Sequence, residues 1–207
     1  MKNIMLSGPD GTGKSTIANA IIDKLNEKSK AVSHVWLRFN HYSAKIINFL
    51  GRITGKSYYE MYSWGKLGYH DYGGLIGFFY VLAVYVDHLF FNLFLRNIYL
   101  KSKQNYLIDR FIIDIIADLI VDTNKSNMVF FLFGPFLKKE LKLAHAFVLK
   151  CDKEIVISRR VDILDDKRYD IKIATYKLIA TRFDITTVDS GKLTVEESVN
   201  KIINSLS

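Results

Sequence analysis

Cysteine is almost missing from this chain of 207 residues: Cys151 is the only one, so no intrachain disulfide can form. A chain without that framework suits a reducing compartment, and a cytoplasmic protein is expected. Proline is nearly as scarce, with Pro9 and Pro135 alone, which excludes a proline-rich linker. No repeat and no low-complexity tract is visible, so solenoid and fibrous architectures are set aside. His34, His41, His70, His88 and His145 show no metal-ligand spacing. A single lysine, Lys2, precedes the first apolar run, so no signal peptide is expected. The net charge is +8, yet no basic block exists. A basic chain suits nucleic acid, anionic lipid or phosphorylated small molecules, and the spread of its charge argues against the first. Hydrophobic residues make up 49% of the chain, which excludes disorder and provides for one compact α/β domain over 1–207.

What is present begins at Gly8-Pro9-Asp10-Gly11-Thr12-Gly13-Lys14-Ser15-Thr16. This stretch fits G-x-x-x-x-G-K-[ST], a phosphate-binding loop. The apolar run Ile4-Met5-Leu6 reads as a strand before it, and Ser15–Lys28 as an amphipathic helix after it. Glycines let successive N–H groups point inward at phosphate oxygens, and the helix N-terminus adds its dipole there. Lys14 can reach the β- and γ-phosphates of a nucleotide, and the Ser15 hydroxyl can hold magnesium. No Asn-Lys-x-Asp guanine motif accompanies the loop, which favours ATP over GTP.

Farther along, Ala31–Phe39 alternates like a strand. Residues 40–74 are rich in Tyr, Gly and Ser, with one short amphipathic piece at Lys45–Ile53. Leu75–Lys103 reads as a long apolar helix. Its first part, Leu75–Leu95, is long enough to span a membrane, but Asp87, His88 and Asn92 lie inside it. A helix buried through the middle of a domain is therefore expected instead of a span. The aromatic-rich Tyr58–Tyr80 region leaves contact with a membrane or partner open. Tyr106–Ile108, Ala146–Lys150 and Ile185–Val188 read as strands. Phe111–Val121, Lys153–Arg160, Ile171–Phe183 and Val195–Leu206 read as helices, the last capped by Thr194. Met128–Leu143 reads as a helix broken near Gly134-Pro135. Asp114 and Asp118, four apart, are expected to meet solvent and the helix dipole. Alternating strands and helices imply a parallel sheet covered on both faces.

Asp109-Arg110 directly follows one such strand, where parallel sheets bind ligands. The carboxylate can hold magnesium, and the guanidinium can clamp a phosphoryl group. By itself the pair also fits an ion pair capping the next helix. Between two helices, residues 158–170 crowd Arg159, Arg160 and Arg168 among acidic residues. Such a run is either a solvated loop or a lid that brings arginines onto phosphates and keeps water out.

In this order the loop, the Asp-Arg pair and the basic segment resemble the thymidylate kinase family of P-loop nucleoside monophosphate kinases. Gly8–Thr16 is similar to that family's loop, Asp109-Arg110-Phe111 to its Asp-Arg-Tyr/His motif, and Phe147–Asp152 with Glu154–Arg160 to its strand before the lid. The resemblance implies a three-layer P-loop kinase fold with a five-stranded parallel sheet. It also implies transfer of the γ-phosphoryl group of ATP, with Mg2+, to a nucleoside monophosphate such as dTMP. Asp10 would face the acceptor's sugar, and Arg110 the transferring group. Gly11 matches the branch whose catalytic arginine lies in the lid, and the Asp189–Lys192 turn would border adenine. On the acceptor side the sequence departs. Arg38 alone could stand for an absent Arg-Glu-Pro-Gly segment. Asp87-His88 occupies the place of an arginine, and Val84 that of a stacking ring. The resemblance therefore leaves two other readings open: a kinase for a phosphorylated metabolite or glycan precursor, and a non-catalytic nucleotide-binding module. Family members often pair through the long helix, so Leu75–Leu95 could serve a homodimer.

Overall fold

The computed structural model describes residues 3–27, 32–36, 42–95 and 105–206. In chain order the elements begin with β1 (Asn3–Ser7), α1 (Lys14–Glu27), β2 (Val32–Trp36), α2 (Ala44–Ile53), β3 (Ser57–Tyr62) and β4 (Gly65–His70). Next come α3 (Gly74–Phe90) with a π-turn over Phe91–Leu95, then β5 (Asn105–Asp109), α4 (Ile112–Thr123), α5 (Ser126–Leu143) and β6 (Ala144–Lys150). Last are α6 (Lys153–Arg159), a 3₁₀ turn over Val161–Asp165, α7 (Tyr169–Arg182), β7 (Thr186–Asp189) and α8 (Val195–Asn204).

The chain divides into two compact units. The first comprises Met1–Arg38, Lys103–Asp114 and Phe136–Ser207; the second comprises Phe39–Ser102 and Ile115–Pro135. Two of its four crossings fall inside α4 and α5, and the other two lie outside the described residues.

The first unit is built on a five-stranded parallel sheet in the order β2-β5-β1-β6-β7. From β1 the chain lays down β2 and β5 on one side, then β6 and β7 on the other. The crevice at the carboxyl end of β1 is thus a topological switch point, where open α/β sheets bind ligands. Register aligns Leu6 with Asp109 and with Phe147, and Lys150 with Asp189. The strands' carboxyl ends therefore share one edge. Ile4 and Leu6 of β1 pack with Leu107, Phe147, Leu149 and Val188 beneath the apolar stripe of α1 and α8. Each fully buried Leu or Ile there contributes about 1.5–3 kcal/mol of transfer free energy. Val148, one residue out of phase, faces the opposite side, where Tyr176 and Ala180 of α7 lie. Thr194 and Glu197 close a capping box on α8, so the cap read from the sequence is present with its reciprocal partner.

The second unit centres on Tyr72. Its N–H donates to the Asp122 carbonyl (2.8 Å) and its hydroxyl to Asn48 of α2 (2.8 Å). Its ring meets Tyr80 edge-on at 4.7 Å. A side chain at Gly51 would strike that ring, 2.6 Å from a built Cβ, so glycine lets α2 close onto it. Strands β3 and β4 form an antiparallel hairpin turned at Ser63-Trp64. The sequence hid this hairpin, because its aromatic, Gly and Ser residues do not alternate cleanly.

Two expectations are corrected. Helix α5 runs unbroken through Pro135. Proline removes one hydrogen bond, that to the residue four back, and the rest of an 18-residue helix carries the turn. The long apolar helix is also not buried through the middle of the fold. Gly77, Tyr80, Val81, Val84, Asp87 and His88 recur on one buried face. The apolar side chains Leu75, Phe79, Val86 and Phe90 lie on the outside. By length and composition Gly74–Phe94 could cross a membrane, and 39% of its most apolar window is buried.

Candidate active site

The loop after β1 takes its shape from its glycines. Gly8 has φ +148°, and a Cβ there would lie 2.5 Å from the Leu149 carbonyl oxygen of β6. Gly11 has φ +80°, and a Cβ there would lie 2.3 Å from the Val156 side chain of α6. No other residue fits either place without moving a neighbour. Helix α6 is thus seated directly on the loop, with the Arg160 Cδ 3.8 Å from that same Cβ position.

Lys14 opens α1 and is buried. Its ammonium donates to the carbonyls of Gly8 (2.7 Å) and Pro9 (2.7 Å), curling back over the loop. Burial pushes its pKa below the ordinary lysine value, although Asp10 and Asp114 offset part of that fall. Thr12 donates to the Pro9 carbonyl (2.8 Å) and tightens the turn. Ser15 and Thr16 follow on the first turn of α1 with exposed side chains. Gly13 leaves open space where a side chain would stand.

Asp10 and Arg110 meet across the site, the guanidinium Nη2 donating to Oδ1. Burial raises the Asp10 carboxyl, but Arg110 and Lys14 together outweigh it and hold the group below its usual range. Arg110 takes φ +57°, a left-handed conformation uncommon for a non-glycine residue. Its N–H donates to the Leu6 carbonyl (3.3 Å), which ties the turn to β1.

Asp109, at the end of β5, is 4% exposed. Its Oδ2 lies 3.9 Å from His34 Nε2, while its Oδ1 is buried without a hydrogen-bond partner. Burial raises this carboxyl, and Lys14 counters that in part. A buried carboxylate oxygen with no donor suits a cation. Among the described residues no three His, Cys, Asp or Glu side chains converge on a metal position. That donor set fits magnesium, which is held by one or two protein oxygens together with substrate phosphates.

The basic segment divides its arginines. Arg159 donates to the Ser190 carbonyl (3.3 Å). With Thr12, Gly13, Thr16, Ser190 and Thr194 it lines a cavity of about 350 Å3 beside the loop. Arg160 makes a two-pronged pair with Asp162, at 3.1 and 2.5 Å. The Arg168 N–H donates to Asp166 Oδ1 (3.0 Å) where α7 begins. Cys151, Val156, Ile163 and Tyr169 form a small apolar core under this segment. A purely solvated loop would lack such an anchor.

Several supports were not legible in the sequence. The Tyr169 hydroxyl donates to the Asp10 carbonyl (3.0 Å), and the Ser190 hydroxyl to the Thr12 carbonyl (2.7 Å). Asp114, expected at the solvent face, is buried instead. It accepts from Ser7 (2.7 Å), Tyr176 (2.7 Å) and the Phe111 N–H (3.1 Å). The last bond is half of a capping box, and that spacing was the one available signal.

Of the acceptor-side residues, Arg38 lies outside the described residues. Val84, Asp87 and His88 are buried in the second unit. Both Asp87 carboxylate oxygens accept the Ser43 N–H that leads into α2, at 3.1 and 2.9 Å. The His88 ring lies against Phe133, 5.6 Å between centroids.

No protein-family model and no curated protein matches the sequence. The structure is similar to thymidylate kinase from Candida albicans, with a TM-score of 0.57 and 16% identity, over 99% of this chain and 90% of that one. The chain thus has the fold of a thymidylate kinase, an α/β fold around a five-stranded parallel sheet.

Proposed function

We propose that this protein is a phosphotransferase that moves the γ-phosphoryl group of ATP to a nucleoside monophosphate, dTMP or a close relative. The observation that carries the reading is the convergence of Lys14, Asp10, Arg110 and Asp109 at the carboxyl ends of β1 and β5. In this reading the loop N–H groups bind the ATP phosphates, and the Lys14 ammonium turns from the loop carbonyls to them. Arg110, held by Asp10, is oriented toward the group in transfer. Arg159 and Arg160 close over the loop and keep water from the phosphates. Arg168 is the third lid arginine of the reading. Ser15 and Asp109 would hold magnesium, which would supply charge neutralisation on the phosphates. The chain would act without crossing a membrane or binding nucleic acid, and the uncharged outer face of α3 would suit a second copy. ADP release measured across a panel of nucleoside monophosphates tests this reading.

A second reading keeps the kinase and changes the acceptor to another phosphorylated metabolite. The engagement of Asp87 by the Ser43 N–H favours it, because that carboxylate is occupied in holding α2. Stronger turnover of a sugar phosphate than of any nucleotide would select this reading.

A further inference from the structure

Helix α2 is amphipathic, but it is mounted with its apolar stripe outward. Ile46, Phe49, Leu50 and Ile53 fall at i, i+3, i+4 and i+7, on one face. Phe49 is 63% exposed and Ile53 68%. The face that packs inward is the one carrying Ala44 and Gly51, where Asn48 accepts the Tyr72 hydroxyl. A soluble helix normally makes the opposite choice, because exposed apolar area is costly.

The hairpin β3–β4 adds to the same kind of surface. Tyr58, Tyr59 and Trp64 are exposed, and Met61 is 76% exposed. Trp64 sits at the turn, stacked on Tyr62 with centroids 5.4 Å apart. Helix and hairpin are joined at Tyr59: Arg52 of α2 donates to its hydroxyl (3.2 Å), and Lys66 of β4 lies over its ring at 4.9 Å. Lys45 lies over the Tyr42 ring at 4.7 Å. Residues 42–70 carry Lys45, Arg52, Lys56 and Lys66 against Glu60 as the only acidic residue, and Glu60 accepts the Tyr62 hydroxyl.

Apolar side chains ringed by cations, with Tyr and Trp beside them, match a bilayer interface. Aromatic rings sit at headgroup depth, aliphatic chains reach below it, and Lys and Arg meet anionic headgroups. A second copy of the chain would bring this positive surface against itself under two-fold symmetry, which like charges oppose. The outer face of α3 differs in this respect, since Leu75, Phe79, Val86 and Phe90 carry no charge. We infer that α2 and the β3–β4 hairpin form a peripheral docking surface for an anionic lipid membrane.

The test is flotation of the full chain with two vesicles, pure phosphatidylcholine and the same lipid with about one-third phosphatidylglycerol. The natural chain is expected to float with the anionic vesicle, and binding should fall as salt rises. Phe49→Ser with Ile53→Ser, and separately Lys45→Glu with Lys66→Glu, should each weaken anionic-vesicle binding by at least about tenfold. ATP affinity, which neither pair touches, should stay unchanged and report folding. If the apolar pair fails to fold, the charge-reversed pair alone decides the matter. Absence of vesicle binding by the natural chain would overturn the inference. So would binding indifferent to headgroup charge and to Lys45→Glu with Lys66→Glu. An oligomer that Phe49→Ser with Ile53→Ser dissolves, with vesicle binding unaltered, would assign the surface to a second copy.

Discussion

The guanidinium of Arg110 grips the carboxylate of Asp10, joining the turn after β5 to the loop after β1. The two residues are one hundred apart in sequence. The contact aims an arginine held at positive φ and lowers a carboxyl that burial alone would raise.

Asp10→Asn should expose that linkage through pH. The native carboxyl titrates below its unfolded value of 3.8, so its contribution to stability is present above that value. It is lost as pH falls through the lower native pKa. Because the pair is partly exposed, the gain is at most about 1 kcal/mol. The variant should melt a few degrees below the natural protein at neutral pH, with the gap closing in acid. A gap that stays constant with pH would contradict the assignment.

Asp109→Asn should separate stability from turnover. The natural carboxylate is buried with one oxygen lacking a donor, which burdens the folded state. Removing the charge should raise the melting temperature by a few degrees and lower ADP release by at least about a hundredfold. A variant that melts lower, or that keeps its rate, would be evidence against the proposed role of Asp109.

Gly11 and Val156 should behave as a coupled pair. Gly11→Ala places a methyl group into Val156 at positive φ, costing about 2–4 kcal/mol in strain and overpacking. Adding Val156→Ala makes room, so the double variant should recover part of the loss. The measurement is a thermal double-mutant cycle. Strictly additive losses would mean that α6 is not seated on the loop.

Pro135→Ala should stabilise α5. It restores a donor for the Phe131 carbonyl at a position where proline costs up to about 3 kcal/mol. In a chain of this size each kcal/mol moves the midpoint by about 2–4 °C, so a rise of several degrees is expected in a melting scan. An unchanged or lower midpoint would mean that neighbouring packing already compensates for the proline.

The strands that carry the candidate site were readable because their signals are local. Gly8–Thr16 and Asp109-Arg110 each sit within a few residues of a buried strand, and both expectations about those strands were met. What stayed hidden depends on distant partners. Ser190 reaches Thr12 across 178 residues, and Tyr169 reaches Asp10 across 159. Neither residue carries a local pattern that announces such a bond. Asp114 looked like a solvent-facing helix carboxylate until Ser7 and Tyr176 arrived from other elements. The outward stripe of α2 was hidden for another reason. Periodicity reveals that a helix has two faces but not which face the fold turns inward.

The proposed activity is acceptor-dependent phosphoryl transfer at the loop after β1. Coupled ADP release with ATP, across nucleoside monophosphates and sugar phosphates, measures it directly when run on the natural chain beside Lys14→Ala. Stimulation by one class of monophosphate is expected, with dTMP or a relative foremost, together with a loss of at least about a hundredfold in Lys14→Ala. Stimulation by no acceptor on the panel, or a Lys14→Ala variant as active as the natural chain, would contradict it.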